Sequence, residues 1–214
     1  MMDSIQIIDP TQYDGWDDLI LSHPNSTFFH SSAWARVLFE SYHCTPKYFT
    51  VIDHGQLLAL IPVMEVNSFL TGRRGVSLPF TDYCDPIVDG SIQFQDLFQH
   101  IIEYGKKCRW KSIELKDGNS LLPLTSPSIT YLGHTLDLYH GGEEVFSNFK
   151  DSTKRNIKKA IKEEVNVEIF NSLESIKEFY TLNCMTRKQH GLPPQPFNFF
   201  KKNIIMLSQE ISDS

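Results

Sequence analysis

Residues 152–200 read STKRNIKKAIKEEVNVEIFNSLESIKEFYTLNCMTRKQHGLPPQPFNFF, and their periodicities organise the reading of the whole chain. Ser152 and Thr153 are N-cap residue types, and Ile157, Ala160 and Ile161 follow at helical spacing, which predicts a helix. Lys154, Arg155, Lys158, Lys159 and Lys162 fall largely on its other faces. Charge alone reads this as a solvated face, with phosphate binding as the alternative. Val165, Val167 and Ile169 alternate with polar residues, which predicts a half-buried strand. After Asn171 or Ser172 as cap, Leu173, Ile176, Phe179, Tyr180 and Leu182 recur at three- and four-residue steps, so a second amphipathic helix follows. His190-Gly191 ends it, and Pro193 and Pro194 prevent its continuation.

Composition bounds what the rest can be. The 214 residues are 41% hydrophobic, enough for a sizeable core in one large or two small domains. A formal charge of −6 argues against nucleic-acid or anionic-membrane binding by the whole surface, so phosphate recognition would need a local basic patch. RNA binding through the 150–162 helix is not expected, because the patch is small and lacks interleaved aromatics. No apolar run approaches the roughly 20 residues of a membrane helix, and MMDSIQIIDP has no basic n-region. The expected compartment is the cytoplasm. Cys44, Cys84, Cys108 and Cys184 are scattered without a CxxC, and the histidines show no ligand spacing; neither a metal site nor a disulfide framework is expected.

Outward from the opening stretch, the first part of the chain reads as one α/β domain. Ile5–Ile8 is strand-like, Tyr13–Leu21 helical, and Ser31 or Ser32 caps a helix through Tyr42 with Trp34, Val37 and Leu38 on its apolar stripe. Tyr48–Ile52 and Leu57–Val66 form an expected hairpin around Asp53-His54-Gly55, with Pro62 marking a bulge or an edge. Arg73, Arg74 and Gly75 precede a short strand, Val76–Leu78, and the following loop FTDYCDPIV gathers Asp82, Tyr83 and Asp85. That loop either lines a cleft or is a surface turn whose aspartates bond their own backbone. A helix at 93–107 and strands at 112–115 and 130–138 complete a mixed sheet flanked by helices. The G-x-S-x-G elbow, the P-loop and the GxGxxG turn are all absent from the sequence.

The ordered blocks RNIKKA, MTRKQHGLPPQPFNFF, WARVL at 34–38 and GRRGVSLPFTDYCDPIV resemble the FemAB-type peptidyltransferases and the FemAB-related, BioF2-like acetyltransferases of the GNAT superfamily. The resemblance implies a GNAT-like α/β fold with a first domain at 1–142 and an incomplete second domain at 143–214. It implies N-acyl or aminoacyl transfer to an amine of a cell-wall peptide, amino sugar or polysaccharide precursor; the alternative is a GNAT remnant that binds an acceptor but has no donor site. Tyr83, Asp85, Arg155, Arg187, His190 and Gln195 are the candidate substrate-binding residues, although Arg187, Lys188 and His190 also suit a helix C-terminus electrostatically. No obligatory side-chain nucleophile follows. Aminoacyl-tRNA or acyl-CoA would be the donor, but Arg73-Arg74-Gly75 lacks the Q/R-x-x-G-x-G/A loop of acyl-CoA enzymes, so no cofactor is supported by a motif.

Three positions depart from the peptidoglycan-extending branch. Leu38 replaces its lysine, Gln195 its arginine before a proline, and Phe199 its aromatic hydroxyl. A diphosphate acceptor would be held more weakly by such a site. A two-domain member would also need a further sheet after the last helix, expected at 197–207, so the chain reads as ending inside its second domain. The apolar positions Phe179, Leu182, Phe199, Phe200, Ile204 and Ile205 would then lack their partner, which leads to the expectation of a homodimer or of another chain covering them.

Overall fold

A computed structural model describes residues 5–81, 84–90, 92–116, 121–122, 125–139 and 141–212, with backbone only from 207 onward. It divides into two compact units, Met1–Thr125 with Ser172–Ser214, and Ser126–Asn171. The expected boundary at 142 lies inside the second.

The first unit is built on a sheet in the order β1-β2-β3-β4-β6, with β5 also pairing β3. The strands are β1 (Gln6–Ile8), β2 (Thr45–Asp53), β3 (Gln56–Ser68), β4 (Gly72–Val76), β5 (Ile87–Val88) and β6 (Ile113–Glu114). All pairings are antiparallel except β4 with β6, which is parallel. The expected hairpin forms at Asp53↔Gln56, and His54 and Gly55 take the positive φ angles, 46° and 79°, that suit its two-residue turn.

Strand β3 reads as an apolar run because helices cover both faces of the sheet. Period-two alternation sends Tyr48, Leu60 and Met64 to one side and Phe49, Ile61 and Val63 to the other. The first side packs on α1 (Trp16–Leu21), α2 (Ser32–Tyr42) and α7 (Phe197–Ser212), through Trp16, Ile20, Trp34, Leu38 and Phe199. The second packs on α3 (Phe94–Lys107), through Phe94, Leu97 and Ile101. Ser31 caps α2 by accepting the Trp34 N–H, and Ser172 caps α6 (Leu173–Gln189) by accepting the Ser175 N–H.

Several expectations are corrected. The irregular register lies at Val51/Ile52, while Pro62 sits where β3 passes between its β5 and β4 partners. Arg73 and Arg74 lie within β4 rather than before a strand. The loop containing Asp85 leads into β5, a strand not anticipated. On α7, Phe199 is buried against α2 rather than unpartnered, and the helix extends to Ser212. The α6 residues Phe179 and Leu182 do stay exposed.

The second unit holds α4 (Gly141–Asn148) and α5 (Asp151–Lys162). Lys150 occupies the α5 N-cap, so Ser152 and Thr153 fall inside its first turn instead of capping it. Strands expected at 130–138 and 165–170 are absent, and Tyr131, Leu136, Val165, Val167 and Ile169 are exposed. Alternation supplies one apolar face, but a strand exists only where a neighbour completes its ladder. No strand is assigned among the described residues of this unit.

Candidate functional site

The period-two rule also builds the floor of a pocket. Register pairs Val66 with Arg74 and Val76 with Glu114, so Val66, Ser68, Arg74, Val76, Glu114 and Lys116 are spaced for a single face of the β3-β4-β6 edge. All six line a pocket of about 470 Å³, as does Asn67. Tyr42 and Cys44, at the end of α2, and Pro79 and Phe80, in the turn after β4, form the rest of the wall.

That turn is conformationally unusual. Leu78 and Phe80 have φ of 46° and 65°, a region that bulky residues occupy only when their surroundings hold them there. Here the Thr81 hydroxyl donates to the Leu78 carbonyl at 2.8 Å, and Lys116 Nζ donates to the Thr81 carbonyl at 2.7 Å. The Phe80 ring stacks on Tyr42 at 4.4 Å and leans on Phe199 at 5.6 Å. Phe199 in turn meets Trp34 edge to face, so α7 buttresses the wall from behind.

Tyr42 is the chemically distinctive wall residue. Its hydroxyl is buried and makes no hydrogen bond of normal geometry, although the Gln195 side chain approaches it. Burial raises the phenol above its ordinary range, while Gln195 and the Arg187 charge pull the other way. Tyr42 therefore remains a protonated donor at neutral pH. Burial also pushes the Cys44 thiol up to about 11, against the nearby Arg74 charge. A thiol at that value is not a ready nucleophile.

Two sequence-predicted residues thus act on Tyr42. Arg187 is fixed by its Nε donating to the Pro193 carbonyl at 2.7 Å, and Gln195 lies in the segment leading to α7. His190 is exposed at the C-cap of α6, and Arg155 is exposed on α5 in the second unit. Tyr83 lies outside the described residues, as does Asp82. The Asp85 side chain is exposed, and its backbone carbonyl meets His30 Nε2 at 3.2 Å.

His30 itself is fully buried. Its Nδ1 accepts the Thr27 N–H at 3.0 Å and lies equally close to the Thr27 hydroxyl, so the ring proton belongs on Nε2, facing Asp85 and the Cys84 sulfur at 3.5 Å. Burial lowers the His30 pKa, while the Asp85 and Thr27 backbone bonds oppose that shift. A depressed folded-state value means that stability is present above the unfolded pKa of about 6.5 and is lost as pH falls through the folded one. Thermal melts of the wild type should fall in midpoint on the acid side of that value. A His30→Gln variant should show a smaller fall over the same window; an equal slope in both proteins would remove His30 as the cause.

Sequence reasoning missed Tyr42, Arg74, Phe80, Glu114 and Lys116 as pocket residues. The usable signal was the two-residue spacing of 66/68, 74/76 and 114/116, which acquires meaning only once the strand register is known. Among the described residues no cluster of His, Cys, Asp or Glu is placed to hold a metal ion, and no helix is long and apolar enough to cross a membrane.

No protein-family profile matches the sequence, and no characterised protein matches it significantly. Among solved structures, FemX is similar over 91% of this chain, with 15% identity and a TM-score of 0.56. This chain covers 53% of FemX, about half its length. A ribosomal-protein-alanine N-acetyltransferase from Brucella melitensis biovar Abortus 2308 aligns with 63% of this chain and 97% of its own, at 12% identity and a TM-score of 0.41. The likeness to FemX, together with the mixed sheet covered by helices on both faces, shows a GNAT/Fem-like α/β fold.

Proposed function

We propose that this chain performs an N-acyl transfer to a primary amine of a cell-wall peptide, amino sugar or polysaccharide precursor. The observation that carries the reading is that the Gln195 side chain and the Arg187 charge, from the block that resembles FemAB-type proteins, both act on Tyr42, a residue of the pocket wall. The FemX-like fold supports it.

In the reaction, the neutral amine attacks an ester or thioester carbonyl and a tetrahedral oxyanion forms. The C–N bond is made, the bond to the leaving oxygen or sulfur breaks, and the amine proton ends on that leaving group. Positioning and preorganised donors supply the acceleration. Tyr42 is the donor this wall offers, and the Arg187 charge favours an anion nearby. The high Cys44 value supports direct transfer over an acyl-cysteine intermediate. Aminoacyl-tRNA and acyl-CoA are the two donor classes to assay.

Tyr42→Phe tests the assignment. Removing a buried hydroxyl that lacks a bond should leave the melting temperature unchanged or slightly raised, whereas losing one donor should slow amide formation about tenfold. Unchanged transfer with unchanged stability would take Tyr42 out of the mechanism.

A further inference from the structure

We propose that the pocket selects an acceptor amine that carries its own anionic group, a phosphate monoester or a carboxylate, over a neutral amine. The word acceptor rests on the transfer reading above; the anion recognition stands on the pocket alone.

The chain has a formal charge of −6, yet this pocket sets two cations, Arg74 and Lys116, against one carboxylate, Glu114. Both cations are half-buried, and their bonded partners are neutral: Arg74 Nη1 donates to the Thr71 hydroxyl, and Lys116 Nζ donates to the Thr81 carbonyl. Among the described residues neither forms an ion pair. A guanidinium has five N–H donors and an ammonium three, so these bonds use a minority of their capacity. Partial burial beside an aromatic wall strengthens their field, and an anion entering the pocket would satisfy it with charge-assisted bonds.

Glu114 makes the site selective for more than an anion. It is exposed and lines the same pocket, on the strand neighbouring Val76, where it would repel a simple dianion but attract an ammonium group. The stacked Tyr42 and Phe80 rings give an apolar surface for the ring or aliphatic carbons between the two charges. A pocket of about 470 Å³ lies within the range of small-ligand sites. One sugar or amino-acid residue bearing both charges matches this arrangement.

Isothermal titration calorimetry on the whole chain tests this with five probes: glucosamine, its phosphate monoester, its uronic acid, the phosphate monoester of glucose, and inorganic phosphate. The phosphate or the uronic acid of glucosamine should bind tightest, and whichever leads names the anion. The glucose monoester should be weaker, and glucosamine and inorganic phosphate weakest. Arg74→Gln should lose about tenfold in affinity for the leading probe, as expected for one charge-assisted contact. Lys116→Gln provides a second reading should Arg74→Gln fold poorly, and Glu114→Gln should erase the advantage of the amine-bearing phosphate over the glucose monoester. Equal affinity for glucosamine and its phosphate, binding no tighter than that of inorganic phosphate, or indifference to both cation substitutions would each overturn the proposal. Anion binding without any amide product would sink the transfer reading alone. Amide formation at equal rates from glucosamine and its charged derivatives would sink this proposal alone.

Discussion

Phe199→Ala should destabilise the first unit by about 3–5 kcal/mol, the range for removing a buried aromatic ring. Phe199 is only 7% exposed and meets Trp34 at 6.0 Å, Tyr42 at 5.5 Å and Phe80 at 5.6 Å. The truncation would leave a cavity at the centre of an aromatic cluster that α2, α7 and the turn after β4 share. The polar contacts of α7 with α2 cannot compensate. Lys202 pairs with Glu40 at a partly exposed site, and Asn198 donates to the Glu40 carbonyl at 3.2 Å. Pairs of that kind contribute about 1 kcal/mol or less. Urea denaturation followed by tryptophan fluorescence should therefore show a large drop in midpoint for Phe199→Ala and a small one for Lys202→Ala. Comparable small shifts in both would mean that α7 is not anchored by its aromatic face.

Gly75→Ala should cost about 3 kcal/mol, the upper part of the range for overpacking. Gly75 is on β4 and Gly105 on α3, and the Trp110 ring lies against both. A Cβ at Gly75 would overlap the ring, and one at Gly105 would sit 2.8 Å from another ring carbon. The ring has little room to retreat because its indole N–H also donates to the Glu65 carboxylate. Arg74 precedes Gly75 directly, so displaced β4 backbone should also perturb the pocket. The urea midpoint of Gly75→Ala measures the cost. A Gly75→Ala, Trp110→Leu double variant should recover part of it, and a fully additive loss would place the strain elsewhere.

How much the sequence revealed depended on whether local rules or strand partners decided each element. The α2 and α6 caps, the Asp53-His54-Gly55 hairpin and the helix at 93–107 are local, and the structure reproduces them. The segments 130–138 and 165–170 carried strand periodicity but no ladder partner, so alternation misled there. Arg74 looked like a loop residue because Gly72 and Gly75 flank it, and only pairing with Val66 places it in a strand. Family-like blocks did point to Arg187 and Gln195, which act on Tyr42, and also to His190 and Arg155, which are exposed. Tyr42 itself carried no signal beyond its place at a helix end, since its surroundings depend on residues some 150 positions later in the chain, near Gln195.

The most direct test is amide formation itself. The purified chain is incubated with isotopically labelled acetyl-CoA or alanyl-tRNA and the phosphate and uronic derivatives of glucosamine, and products are read by mass spectrometry. The account predicts a labelled amide on the acceptor nitrogen, slowed in Tyr42→Phe and selectively slowed for the anionic acceptors in Arg74→Gln. Labelled product at the rate of the uncatalysed mixture with every pairing of donor and acceptor, from protein that melts cooperatively, would contradict it.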